Sequence, residues 1–263
     1  MIELQQVTKV FNPGTPNENV AIRNLSIAIQ PGDFITIIGS NGAGKSTLFN
    51  LVGGTITPTM GSIFAHGRDV TREPEYKRSR YIGRIFQDPL LGTAGNMSLE
   101  HNMMICAYKG MKSLKVNLNS RRRTQFRDHL VELRMGLEDR LKDNVGLLSG
   151  GQRQALTLLM MVLSEPELIL LDEHTAALDP HNAELVMELT TKFVEKFQLT
   201  TMMITHNMHQ ALQYGNRLIM MDAGEIILDV SGEEKRNLTV PGLIERFRKI
   251  RHQDIDNDEL LLS

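Results

Sequence analysis

One cysteine, Cys106, stands in a chain of 263 residues, so an intramolecular disulfide and a cysteine-based zinc site are both excluded. Its neighbours Met104, Ile105 and Ala107 are apolar, which predicts a buried, inert thiol. Long hydrophobic runs are missing too. A membrane helix needs about 20 apolar residues, whereas Ala155 to Leu163 and Leu168 to Leu171 are interrupted by Ser164, Glu165 and Glu167. The opening Met1-Ile2-Glu3-Leu4-Gln5 has neither a basic start nor a long apolar stretch, so the expectation is a chain that stays in the cytosol. Strong charge of either sign is absent, with a net charge of -2 and 23% charged residues, and no electrostatic pull toward nucleic acid follows. What is present is the composition of an ordinary globular protein, 41% hydrophobic, at a length that fits one large α/β domain or one domain with a smaller lobe.

The first third alternates apolar and polar residues in short runs, with Leu25, Ile27 and Ile29 on one face before a Pro31-Gly32-Asp33 turn, and reads as strands. Phe34 to Ile38 is an apolar run that ends in a glycine-rich loop, and Ser46 to Val52 then takes helical spacing. From about Ser98 to Met135 the spacing is helical, with Phe126, Leu130 and Leu133 three and four apart, which predicts a separate helical lobe. After another helical pattern beyond Gln152, strand-like runs (Leu168 to Leu171, Thr201 to Thr205) alternate with helix-like ones (Asn182 to Phe197, Asn207 to Tyr214). That alternation predicts a parallel sheet flanked by helices.

Gly39-Ser40-Asn41-Gly42-Ala43-Gly44-Lys45-Ser46 fits the P-loop pattern, between a strand and a helix as the pattern requires. Glycines let backbone N–H groups turn inward around phosphate, the helix N-terminus adds positive potential, Lys45 neutralises β- and γ-oxygens and Ser46 offers a hydroxyl to Mg²⁺. A second apolar strand, Leu168 to Leu171, runs into Asp172-Glu173, which puts two acids at the carboxyl edge of a parallel sheet. Asp172 suits the holding of Mg²⁺ and Glu173 the polarising of an attacking water.

Between the loop and the acids lies Leu148-Ser149-Gly150-Gly151-Gln152, followed at once by an apolar helical run. With these five residues in this order, the sequence resembles the ABC ATPase family over nearly its whole length. Gln87 matches the family's Q-loop, Ala177-Leu178-Asp179 its D-loop and His206 its switch histidine. The resemblance implies an α/β fold of ABC ATPase type: a P-loop NTPase core, mostly parallel sheet with an antiparallel β subdomain, plus an inserted helical lobe. The implied layout is one cassette over 1–263, with 1–87 and 165–230 as nucleotide-binding core, 88–164 as helical lobe with the signature and 231–263 as C-terminal tail.

For chemistry the resemblance implies an ATPase using ATP and Mg²⁺ in an obligate two-site dimer. One subunit's P-loop holds ATP and another subunit's Ser149-Gly150-Gly151-Gln152 covers it. Nucleotide contacts are then expected from Phe11, stacked on adenine, from Ser40, Asn41, Gly42, Ala43, Gly44, Lys45, Ser46 and Thr47, from the four signature residues and from Asp179. Ser46, Gln87 and Asp172 would serve the metal, and Glu173, His206 and Gln87 the reaction. The implied partners are a second cassette, in a homodimer, separate transmembrane permease subunits, and an extracytoplasmic solute-binding protein, with no direct contact to nucleic acid. The chain would sit at the inner face of the cell membrane and energise a transporter, on the bacterial importer pattern for a small solute such as an amino acid, tryptophan among them. The other readings are a soluble ABC ATPase acting on nucleic acid or ribosomes, and an exporter cassette.

Several residues depart from the pattern or fall outside it. The family usually follows the catalytic glutamate with Pro-Thr-Ser, where this chain has His174-Thr175-Ala176, and His174 reads as a tolerated turn residue. The pairs Met103-Met104, Met160-Met161, Met202-Met203 and Met220-Met221 read as gap-filling core. Arg121-Arg122-Arg123 reads as a solvated helix face. The tail from about Pro241, with Leu243 and Phe247 four apart on an expected helix, fits docking and regulation equally.

Overall fold

The computed structural model describes residues 1–88, 90–107 and 118–249. The expected polar tail after Arg251, and the parts of the expected helical lobe at Pro89 and 108–117, lie outside the described residues. The chain divides into two units, Met1–Glu73 with Met202–Ser263, and Pro74–Thr201.

In the first unit, alternation of apolar and polar residues, broken by bulges, makes an antiparallel sheet. Strands β1 (Ile2–Phe11) and β2 (Asn19–Ile29) turn Ile2, Leu4, Val7, Leu25, Ile27 and Ile29 inward and the polar residues between them outward, as a sheet with one wet face requires. Strand β3 (Phe34–Gly39) and helix α1 (Lys45–Gly53) follow, then β4 (Met60–Ala65) and β5 (Arg68–Asp69), which complete the order β2-β1-β4-β5. The run in β3 does not alternate, because both of its faces are covered: Phe34 to Ile38 are all buried. It pairs in parallel with β9 (Arg217–Asp222), and β9 pairs antiparallel with β10 (Glu225–Ser231). Strand β8 (Thr200–Ile204) crosses the division between the units, and just past its end the Thr205 N–H donates to the Ile37 carbonyl at 3.1 Å.

Helix α7 (Met208–Gln213) leaves that strand, and α8 (Gly232–Arg236) follows β10. A last helical stretch, 240–249, is anchored by Leu243, fully buried with Ile38, Ala211, Leu218, Met220 and Val230. Phe247, one turn on, packs against the same cluster. Lys235 on α8 is also buried and donates to the carbonyls of Tyr214 and Gly215; burial pushes its ammonium down to about 8.

The second unit holds α2 (Glu75–Arg78), β6 (Ile82–Ile85), α3 (Leu99–Cys106), α4 (Ser120–Val131), α5 (Gly150–Leu163), β7 (Leu168–Asp172) and α6 (Pro180–Phe197). β6 and β7 are parallel, with Arg84 opposite Leu170. The methionine pairs are core, as expected, apart from the partly exposed Met161. One expectation fails: Cys106 is part-exposed, since it ends α3 on a turn that also leaves Ile105 in solvent. The three arginines opening α4 do form a solvated face, yet Arg123, with its side chain 42% exposed, is also paired: its Nε donates at 2.7 Å to Glu100, which is buried on α3. That hydrogen bond holds the Glu100 carboxyl below the usual carboxylate range.

Replacing Leu243 with Ala leaves a cavity under β3 and α7, and a loss of about 2–5 kcal/mol is expected. Urea unfolding of the full chain measures it, and a change under about 0.5 kcal/mol would show that the last helix is not bound to the core.

Candidate nucleotide site

The phosphate loop is built where β3 runs out. Lys45 opens α1 with its side chain buried, and its Nζ donates to the Gly39 and Ser40 carbonyls, both at 2.9 Å. The loop is therefore closed by its own lysine. Ser40 Oγ donates to Asp222 Oδ1 at 2.9 Å, which ties the loop to the end of β9. Asn41 and Gly42 are exposed, Ala43 and Gly44 buried, Ser46 exposed and Thr47 between. No acidic side chain lies in the first turn of α1, so its N-terminal N–H groups keep their positive potential for an anion.

Phe11 ends β1 half-buried, with one ring face approached by the Lys9 ammonium at 5.2 Å. His206 is exposed two residues beyond β8. Its position is set by Thr205, whose hydroxyl donates to Gln210 and accepts from the Asn207 N–H, while Asn207 caps α7. His206, Gly39 and Ser40 line one cavity of about 190 Å³, with Ile38, Met208, Met220 and Phe247 as its apolar wall. Phe247 at this wall was missed from the sequence: its spacing from Leu243 predicted a helix but carried no sign of which surface that helix covers.

In the second unit β7 delivers Asp172, and Asp172 Oδ2 accepts from Arg84 Nη2 at 2.7 Å. Glu173 turns the chain with φ 49°, the left-handed region in which a side chain costs energy. The Ala176 N–H closes this turn on the Glu173 carbonyl at 2.9 Å. His174 lies in a turn, as its sequence context predicts, and is buried there, with its Nε2 3.2 Å from Thr190 Oγ1. That hydroxyl already donates to the Val186 carbonyl at 2.8 Å, so it accepts from His174, whose proton is on Nε2. Burial pushes the imidazole down to about 4.

Ser149 caps α5 in a capping box with Gln152, so the signature residues open a helix, with Ser149 and Gly150 exposed, Gly151 buried and Gln152 between. Asp179 caps α6 and accepts from the Asn182 side chain at 2.6 Å; these hydrogen bonds keep its carboxyl below the usual range. Gly151 has no room for a methyl group, because a Cβ there would stand 2.6 Å from the Asn182 amide. The signature and the D-loop are thus packed as one piece. Gln87 is exposed just past β6.

Residues 22–176 match the family model described as ABC transporter. The chain is 45% identical to a Tyrosine transport ATP-binding protein of Clostridioides difficile, over 94% of this chain and 98% of that one. It is 35% identical to Methionine import ATP-binding protein MetN 2 of Enterococcus faecalis over 86% of this chain, and spans 64% of that protein's length. Among solved structures, a dimeric ATP-binding cassette in a post-hydrolysis state, bound to ADP and Pi, superposes with a TM-score of 0.71 at 28% identity, covering 88% of this chain and 98% of that one.

His174 makes stability depend on pH. The unfolded imidazole takes a proton near 6.5 and the folded one only near 4, so its contribution is complete above 6.5 and is lost as pH falls toward 4, by up to about 3 kcal/mol. Unfolding free energies of wild type and His174→Gln at pH 7.5 and 4.5 measure this. The variant should lose less stability on acidification; equal losses would show that His174 is not the group titrating.

Proposed function

The chain belongs to the ABC transporter family and is an ATP-binding, ATP-hydrolysing subunit of a transporter, and we propose that the transporter is a bacterial importer of an amino acid. The observation that carries this reading is the 45% identity to a tyrosine transport protein over almost the full length of both chains. An aromatic amino acid is the favoured cargo. The cassette itself carries no pocket for that cargo in this reading, so selection falls to partner chains.

In the proposed mechanism ATP lies on the phosphate loop of one subunit and is covered by the Ser149-Gly150-Gly151-Gln152 helix start of a second, identical subunit. The layout of nucleotide core (1–87 and 165–230), helical lobe (88–164) and tail (231–263) belongs to the same proposal. Inward-facing N–H groups from 40 to 47 and the Lys45 ammonium bind the phosphates, and Phe11 offers its other ring face to adenine. Glu173 takes the proton of the attacking water, while His206 and Gln87 orient water and γ-phosphate. Asp179 lies at the dimer contact. Ser46, Asp172 and Gln87 present hydroxyl, carboxylate and amide oxygens, a hard donor set that suits Mg²⁺. Bound there with the nucleotide, Mg²⁺ supplies charge neutralisation at the phosphates.

Two further parts concern the membrane. No helix among the described residues is long and apolar enough to cross it, and separate permease chains are proposed to supply the channel, with a solute-binding protein outside and this chain held at the inner face. The docking face is proposed around Leu90, Leu91 and Met97, apolar side chains exposed on the segment after Gln87.

Glu173→Gln should bind ATP at near wild-type affinity, lose hydrolysis by about 100-fold or more and accumulate an ATP-bound dimer. Steady turnover with no dimer in size-exclusion chromatography would remove Glu173 as base. Purification from detergent-solubilised membranes should recover a polytopic permease, and addition of the solute-binding partner loaded with tyrosine or tryptophan should stimulate ATP hydrolysis. Leu91→Glu should abolish that recovery and leave ATP binding intact. Recovery of ribosomes or DNA, or loss of ATP binding in Leu91→Glu, would speak against the importer and its docking face respectively.

A further inference from the structure

A charged residue in the middle of a short buried strand requires a partner, because an uncompensated guanidinium in such a place is strongly disfavoured. Strand β6 reads Ile82-Gly83-Arg84-Ile85, with Ile82, Gly83 and Ile85 buried. Arg84 lies opposite Leu170 in the parallel register with β7, and its side chain reaches along the strand direction to Asp172, two residues further. The contact is a charge-assisted hydrogen bond of 2.7 Å, with both side chains 15% exposed. The guanidinium also lies over the Phe86 ring, 4.9 Å from its centroid, so its plane is held from a second side. Arg84 therefore points at Asp172 by construction and not by chance of a loose surface rotamer.

Asp172 is the carboxylate that the proposed function gives to the divalent cation. We propose that Arg84 is a built-in counter-cation for this carboxylate, a positioning residue that sets the Mg²⁺ concentration at which the nucleotide site fills. The inference rests on the reading of Asp172 as the metal carboxylate. With Oδ2 bound to Arg84, one oxygen of Asp172 stays directed while the other is left to face metal or its water. The fixed positive charge supports the orientation of the carboxylate and at the same time opposes a second cation near it. A neutral side chain at 84 removes the opposition, and so metal should bind more tightly. A purely structural arginine predicts the reverse, since losing it would loosen Asp172 and weaken metal binding. The sign of the shift separates the two.

The test uses the full chain and a fluorescent non-hydrolysable ATP analogue, and reads the Mg²⁺ concentration giving half-maximal nucleotide binding. Arg84→Met should lower that concentration by about three- to tenfold, and Arg84→Lys, which keeps a cation, should stay within about twofold of wild type. If Arg84→Met does not fold, as judged by its melting transition, Arg84→Gln carries the same expectation with a hydrogen-bond donor retained. Asp172→Asn should raise the half-point. An unchanged or raised half-point in the neutral variants, with Asp172→Asn raised, overturns the role of Arg84 and leaves that of Asp172 standing. An unchanged half-point in Asp172→Asn overturns the reading of Asp172 itself, and the inference with it.

Discussion

At Gly44 three stretches of backbone meet with no room for a side chain. A Cβ there would lie 2.5 Å from the Ala21 carbonyl oxygen, 2.9 Å from Ile22 and 3.4 Å from Gly224. The residue also takes φ 97°, which a side chain would resist. This closeness joins the antiparallel sheet, through β2, and the β9–β10 turn to the point where the phosphate loop becomes α1. The Ala43 carbonyl accepts the Gly224 N–H at 3.2 Å, and the Arg23 N–H donates to the Gly224 carbonyl at 3.0 Å, so the contact is hydrogen-bonded as well as tight. A loop that must present bare N–H groups to an anion cannot also be stabilised by satisfying those groups internally. Its rigidity has to come from behind, and Gly44, the folded-back Lys45 and the Ser40–Asp222 hydrogen bond supply it.

Elements whose pattern is local were legible in the sequence. The run Phe34 to Ile38 followed by glycines, lysine and a helical pattern predicts strand, loop and helix, and the structure has β3, the loop and α1 there. Leu168 to Leu171 before two acids likewise becomes β7 with Asp172 at its end. What the sequence did not disclose are pairings across many residues. Arg84 finds Asp172 88 positions away, and nothing near either residue marks the other. A signal did exist, a lone arginine between apolar residues of a short strand, but it announces only that some partner is needed. Arg123 and Glu100 teach the same lesson, since a run of three arginines reads as a solvated face and does not announce the buried acid on α3 that one of them meets.

His174 does lie in a turn, but nothing local in the sequence says where its side chain goes. Turn residues are exposed on average because their backbone groups need water. Here the turn after β7 instead sends the imidazole inward to Thr190 on α6, where one hydrogen bond and a neutral tautomer make its burial tolerable. The neighbouring Glu173 pays with a left-handed backbone. Two successive residues at the end of one strand thus have opposite fates, one side chain drawn into the core and the other left part-exposed on a left-handed backbone.

The same contacts fix a short segment in place. From Asp172 to Asp179 the chain has hardly any regular hydrogen bonding of its own, yet each end is tied to a different neighbour. Asp172 is bound to β6 through Arg84, His174 to α6 through Thr190, and Asp179 caps α6 while Asn182 beside it fills the space that Gly151 leaves at the start of α5. Within the second unit, therefore, the turn that carries Glu173 and the signature helix share one support, α6. The start of α5 rests on Asn182 in the first turn of α6, and α6 in turn holds His174, the residue next to Glu173, through Thr190.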